Sequence, residues 1–370
     1  MTEYLNFLGT TVRFDVDPAA EAAFAPVRAF FRGLFSARPR QDATFVITVS
    51  AFDPESEVDP SVWAIEPTVV RRSTAREFTF DAHLVDEGTR RHYVNRSTWL
   101  DTPRDARTDP MFGLRITPAS RIQVLDFVRD LVIRNEESRG TVVLHASGVT
   151  DGSSVVAIAG PKGAGKTTTM LSALRSPRWS YFTGDKLFCE VVDGDVLVHP
   201  WRDYPYVGVG TILADPRLTE LVRDTVDPDV AVRPSGEKLL LDPDVFEAWL
   251  GADFRAQPRR LAAVLLPQVR PGEPLTVRLL RDGNERWAQL NKIVDRQADT
   301  TFFTWQSYLV PDYTAFYAGL ARLRVELAGM PMVCLRGTLD LDLDAVLDSV
   351  FDGVPGTATL LHTAKPGGRP

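Results

Sequence analysis

Residues 154–168 read Ser-Val-Val-Ala-Ile-Ala-Gly-Pro-Lys-Gly-Ala-Gly-Lys-Thr-Thr, and the expected architecture of the surrounding region follows from them. The apolar run Val155–Ala159 predicts a buried strand. The segment Gly160–Thr167 matches the pattern G-x-x-x-x-G-K-[ST], in which a glycine-rich turn joins a strand to a helix. Met170 and Leu174 follow at helical spacing. The sequence therefore predicts a strand, a turn that can bind phosphate groups, and a helix.

The residue types of this turn suit a phosphate ligand. Glycine at positions 160, 163 and 165 permits close approach of the backbone, which a Cβ would block. Successive N–H groups can then converge on an anion at the helix N-terminus. Lys166 adds a positive charge between the β- and γ-phosphates, and the Thr167 hydroxyl can ligate Mg²⁺. The predicted ligands are ATP and Mg²⁺, and the predicted nucleotide-binding residues are Gly160, Pro161, Lys162, Gly163, Ala164, Gly165, Lys166, Thr167 and Thr168.

Composition and charge exclude several other classes of protein. The 370 residues include 42 basic and 49 acidic side chains, and the net charge of −7 disfavours non-specific binding to nucleic acid or anionic membrane. The longest apolar run, Leu261–Leu266, falls short of the roughly 18 residues that span a bilayer. The first residues lack the features of a secretory signal. Cys189 and Cys334 cannot form a disulfide framework or a cysteine zinc site. We expect a soluble, reduced, cytoplasmic protein.

The chain is predicted to begin with a small α+β domain over residues 1–117. Alternation over Thr11–Val16 predicts a strand, and apolar spacing over 18–37 predicts a helix behind a proline. A hairpin is predicted around Asp86-Glu87-Gly88. Residues 101–117 are rich in Asp, Arg, Pro and Thr and show no periodicity, so they predict a linker.

Residues 118–352 are predicted to form an α/β domain around the glycine-rich turn. Strands and helices alternate here, a pattern typical of α/β folds. A helical face is predicted over 122–132, and Asp193-Gly194 predicts a hairpin turn. Residues 353–370, rich in Gly, Pro and Thr, predict a flexible tail.

Two polar residues follow strands beside the glycine-rich turn. His145 ends the apolar strand that precedes the loop's own strand, and Asp185 lies where the next strand should emerge beside the loop. The later strand Leu261–Leu266 continues into Pro267-Gln268, without the carboxylate typical of motor and switch NTPases. Asp185 is therefore the predicted acidic partner of the loop. The alternatives are that Asp185 serves only as a turn residue and that His145 belongs to the core.

The order of these features resembles the HPr kinase/phosphorylase-related kinases, whose superfamily also contains phosphoenolpyruvate carboxykinase. The resemblance covers roughly residues 120–250. It implies a P-loop kinase domain of the HPr kinase/PEP carboxykinase type behind the N-terminal α+β domain, with ATP and Mg²⁺ as ligands. The features that carry it, in chain order, are Leu144-His145-Ala-Ser, Gly160–Thr167, Gly184-Asp185-Lys-Leu, Asp193-Gly194 and His199-Pro200.

The resemblance also implies roles for single residues. Asp185 resembles the aspartate that accepts the proton of the acceptor hydroxyl or touches Mg²⁺. His145 resembles the histidine near the γ-phosphate and that aspartate, and Lys166 completes the expected catalytic set. Lys238, in Gly236-Glu-Lys-Leu-Leu-Leu, resembles a basic residue found at this point in these kinases.

The sequence departs from the family pattern in two ways. Gly184 stands where the family commonly has a second aspartate. Asp185 alone would therefore have to bind the metal and accept the proton of the acceptor hydroxyl. The glycine- and arginine-rich signature of true HPr kinase/phosphorylases is absent from residues 251–370. HPr is therefore not the expected substrate.

Several other basic residues are candidates for contact with the acceptor. Arg202 and Arg233 could grip an anionic acceptor, and with Lys238 they form the predicted substrate-binding set. Lys162 and Lys186 are predicted to be solvated side chains rather than catalytic ones.

The favoured function is an ATP-dependent kinase that phosphorylates a hydroxyl of a small molecule, such as a sugar, nucleoside or natural-product intermediate. A kinase of peptide or protein serine, including one that tailors a ribosomal peptide, is the second hypothesis. The third is a nucleotide-binding regulator with little turnover, in which Gly184 marks a decayed site. Self-association stays open, since oligomers are common in this family.

Overall fold

The computed structural model describes residues 1–71, 78–252, 254–296, 307–309, 312–338 and 343–351. The chain is a mixed α/β protein that divides into two compact units. One contains Met1–Thr141 and Arg296–Ala318, and the other contains Val142–Asp295 and the chain from Gly319 onward. No helix within the described ranges is long and apolar enough to cross a bilayer.

The first unit is a mixed sheet accompanied by helices. The sheet has nine strands in the order β3-β1-β2-β4-β9-β8-β7-β6-β5. The strands are β1 (Thr2–Phe7), β2 (Thr10–Val16), β3 (Phe35–Ser36), β4 (Phe45–Ala51), β5 (Thr68–Arg71), β6 (Phe80–Asp86), β7 (Arg90–Val94), β8 (Thr98–Pro103) and β9 (Met111–Ile116). The helices are α1 (Glu21–Phe30), α2 (Pro54–Glu57) and α3 (Arg121–Glu137).

The predicted strand over 11–16 and the hairpin of β6 and β7 are confirmed. The predicted helix over 18–37 is too long, because α1 ends at Phe30. Gly33 has φ +84°, a left-handed conformation that ends helices, and the chain then enters β3, which pairs with β1.

The predicted linker over 101–117 is wrong. Strand β9 lies inside the sheet between β4 and β8, and its side chains alternate between buried and less buried positions. Phe112, Leu114 and Ile116 fill the core, whereas Gly113 and Arg115 interrupt the apolar pattern. Only the polar residues between Pro103 and Met111 connect strands, and their composition concealed the alternation on either side.

The second unit holds the glycine-rich turn. Its strands are β10 (Val142–Thr150), β11 (Ser154–Ala159), β12 (Ser180–Thr183), β13 (Lys186–Val192), β14 (Asp195–Pro200), β15 (Tyr206–Gly208), β16 (Lys238–Leu240), β17 (Arg259–Val269), β18 (Thr276–Leu279) and β19 (Met332–Gly337). Its helices are α4 (Lys166–Ala173), α5 (Val209–Leu213), α6 (Pro216–Thr225), α7 (Pro243–Leu250), α8 (Gly283–Ile293) and α10 (Leu343–Phe351), and α9 (Tyr313–Ala328) begins in the first unit.

The strand pairings of this unit close on themselves. Strand β10 pairs with β11 and β13, β13 pairs with β14, and β17 pairs with both β14 and β11. Beyond this circuit, β17 runs parallel to β19. Strands β11 and β17 are parallel, so their carboxyl ends meet at one edge. Ligands commonly bind there in α/β sheets.

The boundary between the two units differs from the sequence prediction. Helix α3 belongs to the first unit, so the division falls between Thr141 and Val142 rather than between residues 117 and 118. The change to helical periodicity at residue 118 marks the start of a helix rather than a new unit. The predicted tail, 353–370, lies outside the described residues.

The carboxyl group of Glu136, near the end of α3, is buried in the first unit. The Thr10 hydroxyl donates to its Oε1, and the Thr141 hydroxyl donates to its Oε2 at 3.1 Å. Burial raises the pKa of Glu136 to about 6, although the two hydroxyl donors oppose the rise. The charged form is therefore less favourable in the folded protein than in the unfolded chain.

This burial predicts a pH dependence of stability. Since the folded pKa of about 6 exceeds the ordinary value of 4.5, the folded state retains a proton that the unfolded chain releases. The free energy of unfolding should fall by about 2 kcal/mol as the pH rises from 4.5 to 6 and beyond. Glu136→Gln should abolish this pH-dependent part of the free energy of unfolding. Urea unfolding at a series of pH values measures it. A Glu55→Gln control, at an exposed position, should keep it, and an unchanged pH profile in Glu136→Gln would contradict the assignment.

Candidate functional site

The glycine-rich turn links β11 to α4 and is attached to a neighbouring strand. Gly163 and Gly165 have φ angles of +82° and +96°, which residues with a Cβ rarely adopt. The carbonyl of Ala164 accepts a hydrogen bond from the Val269 amide at 3.0 Å. A Cβ on Gly165 would lie 1.9 Å from Cγ2 of Val269, so only glycine allows this approach. The end of β17 therefore fixes the shape of the turn.

The start of α4 presents groups that suit an anion. Amide groups in the first turn of a helix have no intrahelical acceptor, and the helix dipole is positive there. Gly165 caps this end of the helix in a left-handed conformation, and Lys166 is the first helical residue. The Lys166 ammonium donates to the Gly160 carbonyl at 2.9 Å, folded back over the turn. The hydroxyls of Thr168 and Thr211 are 2.8 Å apart, which ties α4 to α5.

Asp185 lies at an interruption between two strands. Strands β12 and β13 both pair with β10, through Gly148–Thr183 and His145–Lys186 respectively. Between them the Ala146 amide donates to the Asp185 carbonyl at 2.9 Å, and the Ser147 hydroxyl donates to the Gly184 carbonyl at 2.6 Å. These bonds attach the backbone of Gly184 and Asp185 to β10. Because neither residue belongs to β12 or β13, the alternation of side chains along those strands does not set the direction of the Asp185 side chain.

His145 meets Asp185 at this interruption. Its Nε2 lies 3.2 Å from Oδ1 of Asp185, and both side chains are 43% exposed. The sequence placed His145 at the end of its strand, but β10 continues to Thr150. His145 reaches the site because Ala146 pairs with Ala159 of β11, which puts His145 across from the first residue of the glycine-rich turn.

The charges around Asp185 keep it ionised. Desolvation opposes its negative charge, but the hydrogen bond and charge of His145 and the charges of Lys186 and Lys166 outweigh desolvation. The pKa of Asp185 consequently lies well below its ordinary value. At neutral pH the site presents a carboxylate rather than a carboxylic acid.

Three lysines surround this carboxylate and the turn. Burial lowers the pKa of Lys166, with the charge of Asp185 raising it and that of Lys238 lowering it. Burial also lowers the pKa of Lys238, which likewise interacts with Asp185 and, in the opposite sense, with Lys162. Lys238 lies on β16 with its ammonium 5.0 Å from the centre of the Tyr206 ring. The charge of Lys238 thus opposes those of Lys166 and Lys162, and a polyanion would relieve this repulsion.

The donors present fit ATP and Mg²⁺. The turn, the start of α4 and the three lysines suit a polyphosphate chain. Mg²⁺ prefers oxygen donors and commonly takes one or two carboxylates together with substrate phosphates and water. Thr167 and Asp185 are the oxygen donors that would hold it. Within the described ranges, no three His, Cys, Asp or Glu side chains converge as a self-sufficient metal site.

The structure places Arg202 away from an open anion-binding position. Its side chain is 1% exposed, and its guanidinium pairs with Glu247 at 2.8 Å and Asp244 at 2.6 Å. Glu247 is itself buried. These contacts correct the prediction that Arg202 grips an acceptor, because the cation is needed to balance two carboxylates of α7.

Arg233 also has acidic partners. Its guanidinium pairs with Asp227 and with Glu237, the latter at 3.2 Å, while the side chain remains 44% exposed. Both ion pairs lie within residues 227–237, the segment that leads into β16. Of the three predicted substrate-binding residues, Lys238 alone is brought into electrostatic contact with Asp185.

Sequence reasoning missed the partnership of Lys186 with Asp295. Lys186, one of the side chains considered solvated, is 8% exposed and forms an ion pair with Asp295. Asp295 follows α8, which also went unpredicted. The N-capping residue Asp282 and the spacing of Trp287, Leu290 and Ile293 could have indicated the helix. Nothing in the sequence indicates that its end lies beside β10.

No protein-family model matches the chain, and no curated protein matches it.

The two left-handed glycines offer a matched pair of substitutions. Gly163→Ala should cost only the left-handed strain, about 1–2 kcal/mol, because nothing lies within 4 Å of its added Cβ. Gly165→Ala adds a collision with Val269 and should destabilise the protein substantially more. Chemical unfolding of both variants measures the difference. Equal losses would show that the approach to Val269 does not constrain the turn.

Substitution of Arg202 and of Arg233 should lower the free energy of unfolding to different extents. Arg202→Met leaves the buried Glu247 without its cation and should lower the free energy of unfolding by about 3–5 kcal/mol. Arg233→Met also leaves a largely buried carboxylate, that of Asp227, but Arg233 is itself 44% exposed and its second partner Glu237 is exposed, so the loss of stability should be smaller. Thermal and urea unfolding of the two variants test this contrast. A small effect of Arg202→Met would contradict the conclusion that Arg202 balances the carboxylates of α7.

Proposed function

We propose that the protein is an ATP-dependent kinase that transfers the γ-phosphate to a hydroxyl group of a small molecule such as a sugar, nucleoside or natural-product intermediate. The proposal includes a P-loop domain of the HPr kinase/PEP carboxykinase type. The observation that carries it is the position of Asp185, held on β10 by the Ala146 amide and 3.2 Å from His145, with the charges of Lys166 and Lys238 acting on it. A carboxylate thus interacts with Lys166 of the glycine-rich turn and with Lys238 of β16, an arrangement that suits transfer of a phosphoryl group to an alcohol.

In the proposed reaction the acceptor oxygen forms a bond to the γ-phosphorus while the bond from that phosphorus to the oxygen of the departing ADP breaks. Asp185 accepts a hydrogen bond from the acceptor hydroxyl and takes its proton as transfer completes. Its lowered pKa suits orientation of the hydroxyl better than early proton removal. In a loose phosphoryl transition state the nucleophile needs little activation, so such positioning is the larger contribution.

The remaining residues would stabilise charge. Lys166 and the amides at the start of α4 would neutralise the phosphate oxygens, and Lys238 would add a second cation from β16. His145 would keep Asp185 oriented through its 3.2 Å contact. Thr167 and Asp185 would hold Mg²⁺, which would supply further neutralisation of the transferred group.

The other hypotheses remain as outcomes of the test. A peptide or protein serine is chemically an equivalent acceptor. A regulator with little turnover would need the turn and lysines but not the Asp185 carboxylate. HPr is not proposed, because residues 251–370 lack the expected signature.

Substitution of Asp185 separates a kinase from a nucleotide binder. Asp185→Asn should still bind ATP but lose about 10²–10⁴-fold in transfer rate, because the amide cannot take the hydroxyl proton. Lys166→Met, which removes a phosphate contact, should instead weaken ATP binding. Calorimetry measures binding, and transfer from γ-labelled ATP to a mixture of metabolites and peptides, with mass spectrometry of the product, measures the reaction. Undiminished transfer by Asp185→Asn would exclude the assigned role, and ATP binding without any acceptor would favour the regulator.

A further inference from the structure

The Lys186 ammonium is a possible ion-pair partner for the Asp185 carboxylate. It follows Asp185 directly and begins β13, opposite His145 of β10. Cross-strand neighbours project from the same face of a sheet, so the Lys186 and His145 side chains share the face beside Asp185. The Lys186 charge acts on the Asp185 carboxylate. An ammonium that is 8% exposed requires a carboxylate nearby.

Asp295 supplies that carboxylate from a distant part of the sequence. After α8 the chain runs along β10, where Val294 bridges Leu144 and the Asp295 amide donates to the Val143 carbonyl at 2.8 Å. The backbone bond fixes the position of Asp295, and its side chain pairs with the Lys186 ammonium. Asp295 also interacts electrostatically with His145 and Asp185, so the four groups form one charge cluster.

We propose that Asp295 is a positioning residue, which holds the Lys186 ammonium so that Asp185 keeps its contact with His145 and remains open to the acceptor hydroxyl and Mg²⁺. This inference rests on the proposed kinase function. Without Asp295, the buried ammonium would turn to the carboxylate next to it in the chain, and Asp185 would become its counter-ion. Lys186 would then occupy the oxygen atoms that the reaction needs.

A positioning role and a purely structural ion pair differ in their effect on kcat per folded molecule. If the pair only stabilises the fold, Asp295→Asn should lower the free energy of unfolding and leave the kcat of the folded molecules unchanged. If Asp295 restrains Lys186, removing the ammonium as well should release Asp185 again. The double variant also leaves neither partner as a buried unpaired charge.

The experiment measures kcat and KM for ATP in Asp295→Asn, Lys186→Met and the double variant. Asp295→Asn should lose more than about tenfold in kcat with KM for ATP within about threefold, because Lys166 and the turn are untouched. The double variant should recover most of that loss. Asp295→Glu, which keeps the charge, should stay within about threefold of the natural protein and serves if Asp295→Asn does not fold. Additive losses in the double variant, or a Glu variant as impaired as the Asn variant, would overturn the inference.

Asp282→Ala provides a matched control on the same helix. Asp282 caps α8 by accepting from the Glu285 amide at 2.8 Å, so its loss destabilises α8 without touching Lys186. Its kcat should be unchanged. A fall in kcat equal to that of Asp295→Asn would assign the effect to the helix and overturn the inference.

Crystal structures of the natural protein and Asp295→Asn test the same inference without phosphoryl transfer. The Lys186 ammonium should move to Asp185 in the variant, and the 3.2 Å contact between His145 and Asp185 should lengthen. Retention of both positions would overturn the inference. Should the natural protein transfer phosphate to no acceptor, the proposed function fails, whereas this structural comparison still decides whether Asp295 restrains Lys186.

Discussion

The arrangement of the candidate site depends on the hydrogen bond from the Ala146 amide to the Asp185 carbonyl. It holds the chain on β10 where β12 has ended and β13 has not begun. On its other side β10 pairs with β11, which leads directly into the glycine-rich turn. One strand therefore sets the positions of His145, Asp185 and the turn relative to one another. Substitutions that disturb β10 should affect all three together.

Charge at the site is arranged in two groups of different character. Lys238 is repelled by Lys166 and by Lys162, and an anionic ligand would reduce the cost of their proximity. Behind them, Lys186 and Asp295 neutralise each other within the protein. The first group is suited to a ligand, whereas the second is already balanced. The distinction follows from burial and position, since all four cations are lysines.

Local signals in the sequence were sufficient to predict much of the secondary structure of the second unit. The turn at 160–167, the strand before it and the hairpin at Asp193-Gly194 depend on neighbouring residues and are confirmed. The proximity of Asp185 to His145 followed only from a family resemblance, because it arises from strand pairing. Asp295 could not be predicted, since its position depends on α8 returning the chain to β10. Arg202 was misjudged because nothing local revealed that Asp244 and Glu247 of the next helix would take its charge.

The same limit applies in the first unit. Strand β9 was hidden because Gly113 and Arg115 interrupt an apolar pattern that only its neighbours β4 and β8 make recognisable. The division after Thr141 was equally hidden, because α3 packs with the preceding sheet although it directly precedes β10 in the sequence. Periodicity identifies an element, but not the unit in which the element is buried.

The bond between the Ala164 carbonyl and the Val269 amide gives the turn its shape before any ligand arrives. Disordered loops lose conformational entropy when they close on a ligand, and that loss weakens affinity and slows capture. Here the entropy is lost once, during folding, when β17 joins the sheet. Encounter with a polyphosphate should consequently be governed by diffusion and ionic strength, and warming should loosen the turn only as far as it frays the end of β17.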